Sequence, residues 1–174
     1  ASLRPESILE VACHELALAF EVPRASATLL NRERTAARVV ATYQTEEHQP
    51  TLLNTLIPID QGPVAQSLRT TKTPLVLDNT RSDQYSAPIR ELLRQHGIAS
   101  MLVLPLVIED EMVGSLSFGT LEPCVFSTEE VDLAQSVADQ VSGALARAWL
   151  GEKHRQLSTA IEQTAESVVI TDTE

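Results

Sequence analysis

The sequence has no apolar run of membrane-spanning length. Its longest, Met101 to Leu104 and on through Leu106 and Val107 around Pro105, falls well short of the roughly 18 residues a transmembrane helix needs. Cysteine is scarce as well. Only Cys13 and Cys124 occur, in neither a CxxC pair nor a dense framework, which excludes a disulfide-stapled fold and predicts free thiols in a reducing cytoplasm. Basic residues are outnumbered, 13 Lys and Arg against 24 Asp and Glu, for a net charge of −11. Such a chain has no general field to attract phosphate backbones or anionic lipid, so neither nucleic acid nor a membrane surface is an expected partner. The opening Ala1-Ser2-Leu3-Arg4 lacks the charged-then-apolar pattern of an export signal.

Catalytic signatures are missing too. There is no Gly-rich phosphate loop, no nucleophile, base and orienter recur at a recognisable spacing, and paired carboxylates fall only in loops or solvated helix turns. A metal site needs several ligands to converge. Cys13 and His14 are neighbours on a helix and point apart, while His48, His96 and His154 lie on separate segments. Cys13 reads as a small core residue, His14 as a surface one, and Cys124 as a loop thiol. No metal and no enzymatic activity are expected.

What is present is an ordinary globular composition, 43% hydrophobic and 21% charged over 174 residues, enough for one domain and its connectors. From Pro5 to Phe20 the residues Ile8, Leu9, Ala12, Leu16, Ala19 and Phe20 recur at steps of three and four, predicting an amphipathic helix with proline in its first turn. Ala25–Leu30 and Ala37–Tyr43 read as a hairpin. Polar, irregular sequence from Gln44 to Leu56 leads through Gln61-Gly62-Pro63 into a short helix, Val64 to Thr71. Pro74–Leu77 is a short strand, Asp78 to Ser86 a loop, and Pro88 to His96 a short helix stopped by Gly97. Two good strands, Ala99–Ile108 and Met112–Phe118, flank the tight acidic turn Glu109-Asp110-Glu111.

The clearest local signal is Phe126-Ser127-Thr128-Glu129-Glu130-Val131: Ser127 caps a helix, Glu130 returns the bond, and Phe126 staples onto Val131. No proline follows Ser127, and apolar residues at 134, 138, 141, 145 and 148 mark the face that packs on the sheet. Beyond Gly151 the set Leu150, His154, Leu157, Ile161, Thr164 and Val168 keeps coiled-coil spacing on another stripe, as a stutter near Trp149 to Glu152 would produce. Mixed helices and strands, with the two longest strands joined by a tight turn, predict an α+β domain with a mainly antiparallel sheet.

Over roughly residues 3 to 150 the chain resembles the GAF family, most specifically in Ile59-Asp60-Gln61-Gly62-Pro63-Val64-Ala65, in Gly97-Ile98-Ala99-Ser100-Met101-Leu102-Val103-Leu104-Pro105-Leu106, and in Val113-Gly114-Ser115-Leu116-Ser117-Phe118. Gly62 and Gly114 are expected to allow tight backbone geometry, and Ser100, Leu102 and Leu104 to share one sheet face. The resemblance implies a central sheet of about five to six strands, long N- and C-terminal helices, and a ligand cavity. Alternate strand residues and covering helices would line it: Thr28, Thr42, Ile89, Leu92, Leu93, Ser100, Leu102, Leu116 and Phe118, with Asp78, Asp83 and Tyr85 on the adjoining loop. Asp60, Glu91 and His96 are further polar residues near that region, although loop aspartates such as Asp78 and Asp83 also serve turns and caps. A filled core with no ligand-sized space is the competing expectation. Such a lining suits an apolar or aromatic molecule better than a phosphate.

Departures from the family narrow its ligands. Bilin-binding members carry a cysteine, usually followed by a histidine, where this chain has Pro88 and Ile89, and cyclic-nucleotide-binding members carry an Asn-Lys pair where it has Gly119-Thr120, so neither cofactor is expected. Methionine sulfoxide reductases share the fold, but the two cysteines are not in their reactive-loop arrangement. From Leu157 onward, Ala160 to Asp172 looks like the opening helix and strand of a PAS domain. The implied organisation is a sensor domain over 1–150, a signalling-helix linker over 151–166 and the start of a PAS domain over 167–174, cut from a cytoplasmic bacterial histidine kinase or cyclic-dinucleotide enzyme. The module would sense a small molecule and dimerise through its terminal helices; the alternative is a ligand-free dimerisation spacer.

Overall fold

A computed structural model describes residues 4–45, 51–59, 62–82 and 89–172. Helix α1 (Pro5–Ala19) begins with proline at its first position, where no intrahelical donor is lost. Strand β1 (Arg24–Leu30) turns back into β2 (Ala36–Gln44) through a polar loop in which Asn31 Oδ1 accepts from the backbone N–H groups of Thr35 at 2.9 Å and Ala36 at 3.2 Å. Next come β3 (Leu56–Pro58), α2 (Pro63–Thr71), β4 (Leu75–Leu77), α3 (Arg90–Gln95), β5 (Ser100–Ile108), β6 (Glu111–Thr120) and α4 (Thr128–Asp172). The strands form one antiparallel sheet in the order β3-β2-β1-β6-β5-β4. Strands β5 and β6 are joined by Glu109 and Asp110, both in the left-handed region (φ 51° and 64°), the geometry of a two-residue hairpin that follows strand twist.

The sheet is sandwiched. Helices α1 and α4 cover one face, burying Leu9, Ala12, Cys13 and Leu16 from α1 and Ala134, Ala138, Val141 and Leu145 from α4 against the strand residues Leu102, Leu104, Leu106 and Leu116. The rings of Phe20 and Phe118 stack at 4.9 Å, and Phe126 meets Phe118 edge-on at 5.6 Å. The other face carries α2, whose Leu68 packs with Val103 and Met112 and whose Ala65 packs with Ala37 and Ile59. A strand exposes successive side chains to opposite faces, and here Leu102, Leu104, Leu106 and Leu116 go to the face with the two long helices while Met101 and Val103 go to the α2 face.

The cap before α4 forms as its sequence predicts. Ser127 Oγ accepts from Glu130 N at 3.1 Å, and Glu130 Oε2 accepts from Ser127 N at 3.3 Å, while Phe126 and Val131 join the same core. Helix α4 then runs unbroken across Gly151. Its first half is clamped to the sheet, whereas Leu150, Leu157 and Ile161 are exposed.

Three expectations need correction. Strand β3 is not legible as a strand in Ile57-Pro58: it has three residues, lies at the sheet edge and contains proline, which an edge tolerates because one side needs no donor. The PAS-like helix and strand expected within Ala160–Asp172 are one continuous helical backbone; without a neighbouring strand an extended segment leaves its N–H and C=O groups unpaired, and continuing the helix satisfies them internally. Gly62 has no tight geometry to serve, since its φ is −80° and an added Cβ would meet nothing nearer than Pro58 O at 3.8 Å.

Candidate functional site

Between the α2 face of the sheet and helices α2 and α3 lies a cavity of about 130 Å³. Its apolar wall comes from Leu68 of α2, Leu92 and Leu93 of α3, and Met101, Val103 and Met112 of β5 and β6. The polar part is a ladder of hydroxyls. Strand β1 presents Arg24, Ser26 and Thr28 to the cavity, two residues apart as the pleat requires, and β6 answers with Gly119, Ser117 and Ser115 in register. Ser26 Oγ and Ser117 Oγ are 2.7 Å apart, and Thr28 Oγ1 and Ser115 Oγ 2.8 Å.

Arg24 is the one charged residue among the described lining residues, and no carboxylate is with it. It is 7% exposed, opposite side-chain-free Gly119 on one flank and Gln44 on the other. No hydrogen bond or ion pair joins its side chain to a described residue, and none of its nitrogens is among the fully buried unpaired atoms, so the guanidinium keeps some accessible surface.

Of the residues singled out in the sequence, Thr28, Thr42, Ile89, Leu92, Leu93 and Phe118 border this cavity. Ser100, Leu102 and Leu116 do not. Leu102 and Leu116 are fully buried against α1 and α4 because strand parity turns them to the opposite face. Ser100 is a structural tie: its hydroxyl donates to Asp78 O at 2.6 Å and accepts from Cys124 N at 2.8 Å. Asp78 is exposed and offers that carbonyl rather than its carboxylate. Asp60, Asp83, Tyr85 and Pro88 lie outside the described residues.

Two other polar residues also stand apart from the cavity. Glu91 is exposed and grips Arg94 with both oxygens, at 2.9 and 2.5 Å, which holds its carboxyl below the usual range. His96 is buried at the end of α3, its Nδ1 2.8 Å from Leu92 O and its Nε2 without a partner among the described residues.

Among the residues missed were Arg24, Ser26, Leu68, Met101, Val103, Met112, Ser115 and Ser117. A signal for most of them existed. Ser115 and Ser117 alternate with Leu116 and Phe118, so assigning the apolar pair to the long helices leaves the serines for the cavity. Arg24, beside Pro23, has no such local signal.

Neither thiol faces the cavity. Cys13 is fully buried beneath α1, and burial, helped by Glu10, pushes its thiol up to about 12. Cys124 is raised as well, by burial first and then by Glu130 and Asp78. A thiol held protonated is a poor nucleophile. Among the described residues no cluster of His, Cys, Asp and Glu could hold a metal ion, and no helix is long and apolar enough to cross a membrane.

This architecture is shared with solved structures. The blue-light absorbing form of the PixJ GAF domain of Thermosynechococcus elongatus is 18% identical, with a TM-score of 0.76 over 89% of this chain and 93% of that one. A domain assigned to a two-component sensor histidine kinase protein of Sinorhizobium meliloti is 24% identical, with a TM-score of 0.70 over 89% and 99%. The phycocyanobilin-bound GAF domain of a cyanobacterial phytochrome is 22% identical, with a TM-score of 0.73 over 86% and 88%. No curated protein matches the chain. The GAF domain family model matches residues 4–145, and the chain belongs to the GAF domain family.

Proposed function

We propose that this domain is a small-molecule sensor and signal relay in a cytoplasmic bacterial signal-transduction protein, with a histidine kinase or cyclic-dinucleotide enzyme as its output and a PAS domain next in the chain. The observation that carries this reading is the position of the cavity. It borders Met101 and Val103 of β5 and Ser115 and Ser117 of β6, while the intervening Leu102, Leu104 and Leu116 bear on α1 and α4. A ligand that favours one spacing of the strands therefore acts through the sheet on α4. A buried link adds to the packing: Ser142 Oγ accepts from Val107 N at 3.2 Å, at the irregularity in the β5–β6 ladder, and donates to Ala138 O at 2.9 Å.

The domain catalyses no reaction on this reading and carries no covalent tetrapyrrole; buried, protonated Cys13 and Cys124, tied to Ser100, both lie away from the cavity. Its relay partner is a second copy. Leu150, Leu157 and Ile161 lie exposed at steps of seven and four along α4, a seam that a parallel partner helix would cover. The acidic surface agrees with an absence of nucleic-acid and membrane partners.

Native mass spectrometry of the freshly purified chain tests both halves. A dimer carrying a reproducible small mass is expected. An empty dimer points instead to a dimerisation spacer, and an empty monomer removes the helix relay.

A further inference from the structure

We infer that the cavity ligand is a small organic carboxylate, its carboxylate gripped by Arg24 and its apolar body about the size of one six-membered ring lying against Leu68, Leu93, Met101, Val103 and Met112. The inference deepens the sensor reading and rests on it. It starts from an electrostatic oddity: Arg24 is 7% exposed with no side-chain hydrogen bond or ion pair to a described residue, and its nitrogens, which are not among the fully buried unpaired atoms, keep an opening through which a partner can reach them. Buried charges are ordinarily paired, because a lone one forfeits its hydration without a Coulombic return. Here the group sits at the edge of a cavity that brings no carboxylate of its own, so an anion from outside is the missing partner. Gly119, across the ladder from Arg24, leaves the flank free of a side chain. An added Cβ there would meet Ile98 Cγ2 at 2.9 Å and Ser100 O at 3.1 Å.

Neighbouring hydroxyls strengthen the case. In each of the pairs Ser26–Ser117 and Thr28–Ser115 one hydroxyl donates to the other. Each pair thus retains one proton that is not used between its two oxygens, and an anion on Arg24 is an acceptor for the nearer of them. The donor set fits a carboxylate better than a phosphate. One guanidinium fork matches one planar carboxylate, whereas a phosphate dianion would be left with a single positive charge and apolar walls. For size, an apolar cavity of about 150 Å³ takes up a benzene ring, and this one is about 130 Å³. The net charge of −11 does not oppose entry strongly, since salt screens exposed charges beyond about 8 Å.

The test is calorimetric titration and thermal melting of the whole 174-residue chain with phenylacetate, 3-methylbutanoate, neutral phenylacetamide and phenyl phosphate. At least one carboxylate should bind and raise the melting temperature, with the amide about tenfold or more weaker. Arg24→Gln should weaken carboxylate binding by about 10- to 100-fold and leave amide binding unchanged, with Arg24→Lys intermediate because it keeps the charge and loses the fork. Should Arg24→Gln fail to fold, the lysine variant and the carboxylate-to-amide ratio decide. Equal binding of amide and carboxylate, preference for phenyl phosphate, or carboxylate binding indifferent to both variants overturns the inference and leaves the sensor reading standing. No binding of any probe, together with an empty cavity in native mass spectrometry, overturns both.

Discussion

Replacing Gly114 by alanine is the sharpest probe of the sheet that the site is built on. Gly114 faces Leu29 across the β1–β6 ladder, and a Cβ added there would lie 2.0 Å from the carbonyl oxygen of Thr28, 3.1 Å from its carbon and 3.2 Å from Leu29 Cα. All three are backbone atoms of a central strand, so none can swing aside as a side chain would. An ordinary contact begins at 3.4 Å, and restoring it means moving β6 off β1 by more than an ångström. That separation takes ladder hydrogen bonds near this point beyond bonding range and parts the Thr28–Ser115 hydroxyls next to it. Losing about three hydrogen bonds at 0.5–1.5 kcal/mol each, with partial exposure of the core beneath them, amounts to roughly 3–5 kcal/mol. For a domain of this size that is a fall in melting temperature of about 6–20 °C. Urea denaturation followed by circular dichroism measures it directly. Gly151→Ala is the internal control: no atom lies within 4 Å of its added Cβ, and in a helix interior the change should stabilise by about 0.5–1 kcal/mol. A Gly114→Ala protein within 1 kcal/mol of the parent would refute the reasoning.

Cys13 gives a pH signature. Its thiol is raised from 9.0 to about 12 in the fold, so above pH 9 the unfolded chain ionises first and stability falls until about pH 12, with a slope of at most about 1.4 kcal/mol per pH unit; urea midpoints should be flat from pH 7 to 8.5, and Cys13→Ala should flatten the alkaline decline. Ser142→Ala strips the part-buried Val107 N–H of its acceptor and should cost about 1 kcal/mol, with faster hydrogen exchange at the Val107 amide as the local readout. Ser127→Ala removes the cap of α4 and should cost about 1 kcal/mol in urea denaturation; an effect as large as that of Gly114→Ala would mean the helix start does more than cap.

Most of the fold could be read from local rules because those rules act locally. Pro5 at a first helical turn and the Ser127–Glu130 reciprocal cap satisfy backbone groups within a few residues and appear as expected, and the tight acidic turn forms with two residues, Glu109 and Asp110, where three were expected. What the sequence does not reveal depends on distant partners. The edge strand Leu56–Pro58 exists only because Ala36–Arg38 runs beside it. The strand expected at the end of the PAS-like stretch Ala160–Asp172 has no described strand beside it and is helix instead. The candidate site failed in a narrower way: period-two alternation correctly placed Ser100, Leu102 and Leu104 on a common face, but which face met the cavity depended on where α1 and α4 docked. That is decided by α4, whose Ala138 and Leu145 lie thirty or more positions beyond the end of the β5 strand it covers, and by α1, whose Leu9 and Leu16 pack over β1 and β2.

The same parity explains how a domain of this build can be both receptive and stiff. On the helix face, Ala134 and Ala138 let α4 lie close, and Leu102, Leu104, Leu116 and Leu145 are all fully buried; a layer packed to that density has little room to absorb a displacement. The α2 face is less completely filled, with its cavity bordered by short hydroxyl side chains and by flexible Met101 and Met112. A ligand entering there meets compliance first in the side chains around it and only then in the strands. Any remaining movement of β5 and β6 passes to α4 through leucines that cannot yield. Leu102 and Leu116, expected in the pocket, therefore belong on the output side of the sheet, and on the proposed reading they belong to the relay rather than to recognition.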